Sequence, residues 1–253
     1  LHEVSKAFHA EGLTVRALEE VSFAVQPGEF VTVIGPSGSG KSTLFNLITG
    51  LLEPEAGEIV LEGESGQPPA LAGPRIGRVG YMPQRDLLLP WRSVLDNVIV
   101  PLELRGTPLA EARERARALL PRFGLSEFAQ AYPATLSGGL RQRAALLRTV
   151  LTDRDLLLLD EPFGALDALT RRELQDWLLD LWSQFKQTVL FITHDVEEAL
   201  YLGDRVIVLS QRPGRVAHTL AVELPRPRRR GMITTPEFGA QVAELLRALG
   251  VAL

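Results

Sequence analysis

Apolar and polar residues alternate with a period near two through the first third of the chain. Residues 3–8, 15–19, 21–25, 30–34 and 58–62 are therefore expected to be short strands. Residues 30–34, Phe-Val-Thr-Val-Ile, follow a Pro27-Gly28 turn and stop at Gly35. A run with so little polar character suits a parallel strand buried on both faces, with a helix over 42–49 behind it. Between about 97 and 135 the period changes. Residues 109–120 carry Ala, Arg, Glu and Leu at helical spacing, bracketed at a distance by Pro101 and Pro133, which predicts a helical insertion.

The second half alternates helices and strands. Helices are expected over 140–151 and 173–185, and strands over 78–82, 156–159 and 188–193. Asp195, with Glu198 three residues on, reads as the N-cap of a further helix. Residues 205–210 and 215–222 read as a strand pair around Arg212-Pro213-Gly214, and 237–249 as a last helix. Strands alternating with helices predict an α/β core with a mainly parallel sheet. The early strands suggest an N-terminal antiparallel β-subdomain, and the middle helices a separate helical lobe. No internal repeat or low-complexity tract interrupts this, and residues 1–253 read as a single domain with a basic segment and helix over 225–253.

Composition narrows the class. With 45% hydrophobic and 23% charged residues, the 253-residue chain has an ordinary globular balance. No apolar run approaches the roughly 18 to 20 residues that cross a bilayer. The start, Leu1-His2-Glu3-Val4, has neither the basic nor the apolar region of a signal peptide and no initiator Met, and so reads as trimmed or late. The absence of Cys excludes disulfides and thiolate chemistry, and a net charge of −4 argues against a nucleic-acid binder. Lys occurs only at 6, 41 and 186, which makes the one at 41 conspicuous.

Gly35-Pro36-Ser37-Gly38-Ser39-Gly40-Lys41-Ser42, with Thr43 next, fits G-x-x-x-x-G-K-[ST] between a predicted strand and a predicted helix. Such a loop wraps phosphate with inward N–H groups, and the helix N-terminus faces the same anion. Lys41 is placed to neutralise the β- and γ-phosphates and the Ser42 hydroxyl to ligate Mg²⁺. Leu156-Leu157-Leu158-Leu159-Asp160-Glu161 is an apolar run ending in two carboxylates. A carboxylate closing a buried strand is costly without a cation or donors, and Mg²⁺ held through water suits Asp160.

Between these halves lies Leu136-Ser137-Gly138-Gly139, followed by Leu140-Arg141-Gln142-Arg143. With the P-loop and the strand-end carboxylates, in this order, the chain resembles the nucleotide-binding subunit of an ATP-binding cassette (ABC) transporter over nearly its whole length. The resemblance implies a P-loop NTPase core binding ATP and Mg²⁺, with Glu161 as catalytic base. It implies that Gln84, after Tyr81-Met82-Pro83, is the Q-loop residue sensing metal and water, and that His194 contacts the γ-phosphate. Phe8 matches the aromatic that stacks on adenine, with core packing as its alternative. Ser137, Gly138 and Gly139 match the signature that contacts ATP on the opposite subunit, and Asp167 in Ala165-Leu166-Asp167 matches the D-loop that crosses the interface. Leu140 stands where many members carry Gln.

The same resemblance implies a head-to-tail homodimer on the cytoplasmic face of the membrane. Its partners would be separate permease subunits and, indirectly, an extracytoplasmic solute-binding protein. Pro90-Trp91 and Pro225-Arg226-Pro227-Arg228-Arg229-Arg230 are similar to importers of the nitrate, sulfonate, taurine, bicarbonate and pyrimidine-precursor group. Trp91 has two readings, a buried anchor or a dock for a permease helix. The Arg run also has two, a solvated cluster or a surface for the partner or anionic lipid. Two further readings remain. A soluble ABC ATPase outside transport would usually carry tandem cassettes or a long coiled coil, and a non-hydrolysing regulatory cassette would be expected to lose Glu161 or His194.

Overall fold

The computed structural model describes residues 1–10, 12–61 and 75–251. In chain order the strands are β1 (His2–Ala10), β2 (Leu13–Val21), β3 (Phe30–Ile34), β4 (Ala56–Glu58), β5 (Gly80–Met82), β6 (Leu156–Asp160), β7 (Thr188–Ile192), β8 (Arg205–Leu209) and β9 (Val216–Ala221). The α-helices are α1 (Lys41–Thr49), α2 (Val94–Val98), α3 (Val100–Leu104), α4 (Leu109–Leu119), α5 (Gly138–Val150), α6 (Ala168–Phe185), α7 (Val196–Leu202) and α8 (Pro236–Ala248). They fall into two compact units, Leu1–Val79 with Lys186–Leu253, and Gly80–Phe185.

In the first unit β3 pairs in parallel with β7 on one side and β8 on the other, and β9 adds antiparallel to β8. Every residue of β3 is buried, and so are the last four of β7 and of β8, which is the pattern of strands covered on both faces. A separate antiparallel sheet runs in the order β2-β1-β4. Parallel strands and an antiparallel subdomain are the α/β, P-loop NTPase arrangement expected from the sequence.

Two expected strand boundaries are corrected. The segments 15–19 and 21–25 are not two strands: β2 runs unbroken from Leu13 to Val21, and 22–25 is not strand. The gap read at Glu20 is a bulge. Glu20 takes a φ of 50° and donates its N–H to the Ser5 hydroxyl at 2.9 Å, and the pairing with β1 shifts register between Val4 and Lys6. The strand expected over 58–62 ends at Glu58, and Glu62 lies outside the described residues.

Residues 225–251 are built into the first unit. Thr235 caps α8, accepting the Phe238 N–H at 3.3 Å, with Pro236 in the first turn. Phe238 and Leu245 sit in a core with Ile34, Ala199, Leu200, Val206 and Val208. Much of the Arg run is tied into the unit rather than solvated, with Arg229 exposed. Arg226 donates to the Asp204 carboxylate at 2.6 Å and to the Leu202 carbonyl at 2.7 Å, while the second Asp204 oxygen accepts the Phe30 N–H at 3.0 Å. Arg228, only 8% exposed, donates to the Gly203 carbonyl at 2.9 Å and to the Leu224 carbonyl. Burial, then repulsion from Arg226, pulls its guanidinium down to about 10. Arg230 lies over the Tyr201 ring, 4.3 Å from its centre.

In the second unit β5 and β6 pair in parallel, with Tyr81 opposite Leu158 and Met82 opposite Leu159. Helices α2 to α4 and two 3₁₀ turns, Ser126–Phe128 and Pro133–Thr135, carry the chain to α5. Helix α6 begins at Ala168 rather than near 173, because the Asp167 carboxylate accepts the N–H groups of Leu169 at 3.1 Å and Thr170 at 3.0 Å.

Candidate functional site

The first unit holds the phosphate loop. Residues 35–40 leave the C-terminal end of β3, and Lys41 opens α1. Gly38 and Gly40 take φ of 77° and 91°, in the left-handed region that side chains avoid. The Ser39 N–H closes the turn on the Pro36 carbonyl at 3.1 Å. The Lys41 ammonium is buried inside the loop, 2.7 Å from the Gly35 carbonyl and 3.1 Å from that of Pro36. Ser37 and Ser42 are exposed, and Thr43 half-buried. Both the loop and α1's N-terminus lie where β3 ends, the edge of an α/β sheet at which ligands bind.

His194 lies at the same edge. It follows β7, the parallel neighbour of β3, and is exposed. Its backbone is fixed by a local relay: the Asp195 N–H donates to the Thr193 hydroxyl at 3.1 Å, and that hydroxyl donates to Glu198. Asp195 in turn accepts the Glu198 N–H at 3.1 Å, so the expected cap forms with a hydroxyl inserted into the box. Phe8, on β1, is 42% exposed, and the Lys6 ammonium stands 5.8 Å from its ring centre. Core packing therefore does not hold this ring.

The second unit holds the carboxylates. Asp160, 3% exposed, ends β6, and Glu161 follows with a φ of 45°, a strained turn that gives the two side chains different directions. The parallel β5–β6 pairing brings in Gln84, whose side-chain amide donates to the Glu161 carboxylate at 3.3 Å across 77 positions of sequence. Burial, with the Asp160 charge added, pushes the Tyr81 hydroxyl up to about 12, so this neighbour stays protonated.

The signature opens α5. Ser137 is exposed and N-caps the helix, accepting the Leu140 N–H at 3.3 Å. A Cβ on Gly138 would come within 3.0 Å of the Leu166 side chain, and one on Gly139 within 3.0 Å of Thr170. The two glycines let the Leu166–Thr170 turn lie against the helix start. Asp167, in that turn, is held below the ordinary carboxylate range, chiefly by the Thr170 N–H.

Two arginines, Arg141 from the signature's continuation and Arg148, to which the sequence assigned no role, join the signature helix to the Q-loop. Arg141 pairs with the Asp86 carboxylate at 3.3 Å, and Arg148 donates to the Leu87 carbonyl at 2.8 Å and to that of Asp86. Their seven-residue spacing puts them on one helical face, but only the fold shows that the Q-loop lies there. Trp91, just beyond, is 71% exposed and is not a buried anchor.

Fold, phosphate loop and strand-end carboxylates together define a P-loop nucleotide hydrolase. The family model described as ABC transporter matches residues 18–164. The formylaminopyrimidine import ATP-binding protein ThiZ of Halalkalibacterium halodurans is 44% identical over 250 residues, 98% of this chain and 94% of that one. The taurine import ATP-binding protein TauB of Rhizobium johnstonii is 44% identical over 243 residues, 94% of this chain and 90% of that one. The aliphatic sulfonates import ATP-binding protein SsuB of Bacillus cereus is 39% identical over 244 residues, 96% of this chain and 94% of that one. Among solved structures, the dimeric ATP-binding cassette MJ0796 in a post-hydrolysis state with ADP and Pi superposes with a TM-score of 0.73 at 30% identity, covering 88% of this chain and 98% of that one. The chain belongs to the ABC transporter family, as an ATP-binding and ATP-hydrolysing subunit of the import type.

Proposed function

We propose that this ATPase drives uptake of a small organic solute of the sulfonate, taurine or pyrimidine-precursor kind through separate permease subunits. It would act as a head-to-tail homodimer, peripheral on the cytoplasmic face, supplied by an extracytoplasmic solute-binding protein. The names of its relatives support the solute class, and the dimeric cassette supports the homodimer. No described helix is long and apolar enough to cross a membrane. Trp91 offers an exposed aromatic beside the Q-loop for docking one.

The observation that carries hydrolysis is the Gln84–Glu161 pair beside a buried strand-end Asp160. In this reading residues 35–43 cradle the ATP phosphates, Phe8 stacks on adenine, and His194 meets the γ-phosphate. Ser137, Gly138, Gly139 and Asp167 serve the nucleotide of the second copy. Ser42, Gln84 and Asp160 offer a hydroxyl, an amide carbonyl and a carboxylate, an all-oxygen set of the kind Mg²⁺ prefers. The ion would screen phosphate charge. Glu161 takes the proton of the attacking water, with Gln84 orienting its carboxylate.

MgATP turnover by the parent and by Glu161→Gln, with size-exclusion chromatography in ATP, tests this. The parent should turn over, and the variant should bind ATP, lose turnover and elute as a dimer. Equal turnover by the two would remove Glu161 as the base.

A further inference from the structure

The sequence marked Arg212-Pro213-Gly214 only as a turn between strands. In the structure this turn, the tip of the β8–β9 hairpin, is pressed against the outside of the phosphate loop. Arg212 donates its Nε to the Gly38 carbonyl at 3.3 Å, and a Cβ on Gly38 would stand 3.2 Å from its Nη2. A Cβ on Gly214 would fall 2.0 Å from the Ser39 carbonyl oxygen, so only glycine fits there. A Cβ on Gly35 would meet the Leu209 carbonyl at 2.9 Å. The hairpin thus touches the loop at three successive points, Gly35, Gly38 and Ser39.

The hairpin is itself held from behind. The Gly214 N–H donates to the Ala17 carbonyl at 2.9 Å, and its carbonyl accepts the Glu19 N–H at 3.0 Å. Arg215 pairs with the Glu19 carboxylate at 2.8 Å. The Ser210 hydroxyl donates to the Pro213 carbonyl at 3.0 Å and accepts the Arg215 N–H at 3.0 Å. The same stretch of β2 also reaches the loop: a Cβ on Gly40 would meet the Ala17 carbonyl at 2.8 Å and the Leu18 side chain at 2.6 Å. Strand β2 and the hairpin, bridged to each other at Leu18 and Gly214, therefore pack against the loop together.

We propose that the β8–β9 hairpin is a clamp that holds the phosphate loop in its binding shape, with Arg212 as the positioning residue acting through the Gly38 carbonyl. The proposal rests on the reading of residues 35–43 as the nucleotide cradle. A loop of glycines and serines has high conformational entropy, and a part fixed before the ligand arrives binds it more tightly. Holding the Gly38 carbonyl also fixes its peptide plane, whose Ser39 N–H closes the loop's turn on the Pro36 carbonyl at 3.1 Å. Arg212 is exposed, so its loss removes a hydrogen bond without opening a core.

Glutamine is the discriminating substitution, because its Nε2 lies as many bonds from the backbone as the arginine Nε and carries no charge. MgATP affinity and the KM and kcat of hydrolysis would be measured for the parent, Arg212→Ala, Arg212→Gln and Gly214→Ala. Arg212→Ala should weaken affinity about five- to twentyfold, the range of one hydrogen bond from a charged donor at an exposed site, with the loss in KM. Arg212→Gln should recover most of it, and Gly214→Ala should weaken affinity at least as much as Arg212→Ala. An Arg212→Ala or a Gly214→Ala protein with the parent's affinity overturns the clamp. So does Arg212→Gln falling as far as Ala, since charge alone would then be at work. A parent that binds no MgATP overturns the cradle reading itself. A parent that binds, beside an unaffected Arg212→Ala, overturns the clamp alone.

Discussion

Phe238→Ala tests whether the last helix belongs to the core that carries the phosphate loop. Phe238 is 2% exposed and meets a cluster that includes Ile34, the last residue of β3 before the loop, together with Ala199, Leu200, Val206 and Val208. A Phe buries roughly 150–250 Å², worth about 4–6 kcal/mol at 25 cal/mol per Å². Measured Phe→Ala changes, which keep the Cβ and add a cavity, cost about 3–5 kcal/mol. Against a domain stability of about 5–15 kcal/mol, the variant should remain folded but much easier to open.

Tryptophan fluorescence is the wrong assay, since Trp91, Trp177 and Trp182 all lie in the Gly80–Phe185 unit. Native-state hydrogen exchange over 196–209 reads the right elements. A loss of about 3–5 kcal/mol speeds exchange there between about a hundredfold and a few thousandfold. Arg247→Ala, on the exposed side of α8, should change it less than about threefold. Less than tenfold acceleration in Phe238→Ala would mean that α8 merely rests on the unit, and the argument from its burial would fail.

Lys41→Ala removes the one side-chain cation inside the phosphate loop and should weaken MgATP binding by at least about a hundredfold; a calorimetric isotherm matching the parent would contradict the cradle. Trp91→Ala should leave basal ATPase within about twofold, yet weaken stimulation by reconstituted permease about tenfold, the scale of an interface aromatic; equal stimulation would reduce Trp91 to an exposed side chain without a partner. Asp96 is held below the ordinary carboxylate range chiefly by Arg113, with the Ser93 hydroxyl adding to it. A depressed folded pKa gives stability that is present above the unfolded value and lost as pH falls through the folded one. The acid limb of the fluorescence-monitored stability profile should therefore flatten in Asp96→Asn, and an identical limb would assign acid sensitivity to other groups.

What the sequence showed, and what it hid, divides by range. The phosphate loop, the Asp195 cap and the β8–β9 pair were legible because each is fixed by residues a few positions apart, through turn, cap and periodicity rules. The bulge at Glu20 was half legible, as a break in alternation whose cause, a hydrogen bond to Ser5, lies on another strand. The long-range contacts left no local trace. Arg141 read only as the signature's continuation, Arg148 drew no reading, and Arg226, Arg228 and Arg230 read as a basic run, until the chain brought carbonyls, two carboxylates and a ring to them.

The hairpin clamp shows why such contacts escape a linear reading. Turn chemistry predicts that Arg212-Pro213-Gly214 reverses the chain, but not what the turn touches. That is decided by register: β8 lies parallel to β3 with Val208 opposite Ile34, so both strands leave the sheet at the same edge. One continues into the phosphate loop and the other into the hairpin, a few residues beyond the same paired position. Slipping β8 by a single residue would exchange the side chains packed on its two covered faces and also carry Gly214 away from Ser39. The apolar pattern that buries Val206, Ile207 and Val208 therefore sets the placement of Arg212, and core packing and nucleotide affinity are linked through one strand register.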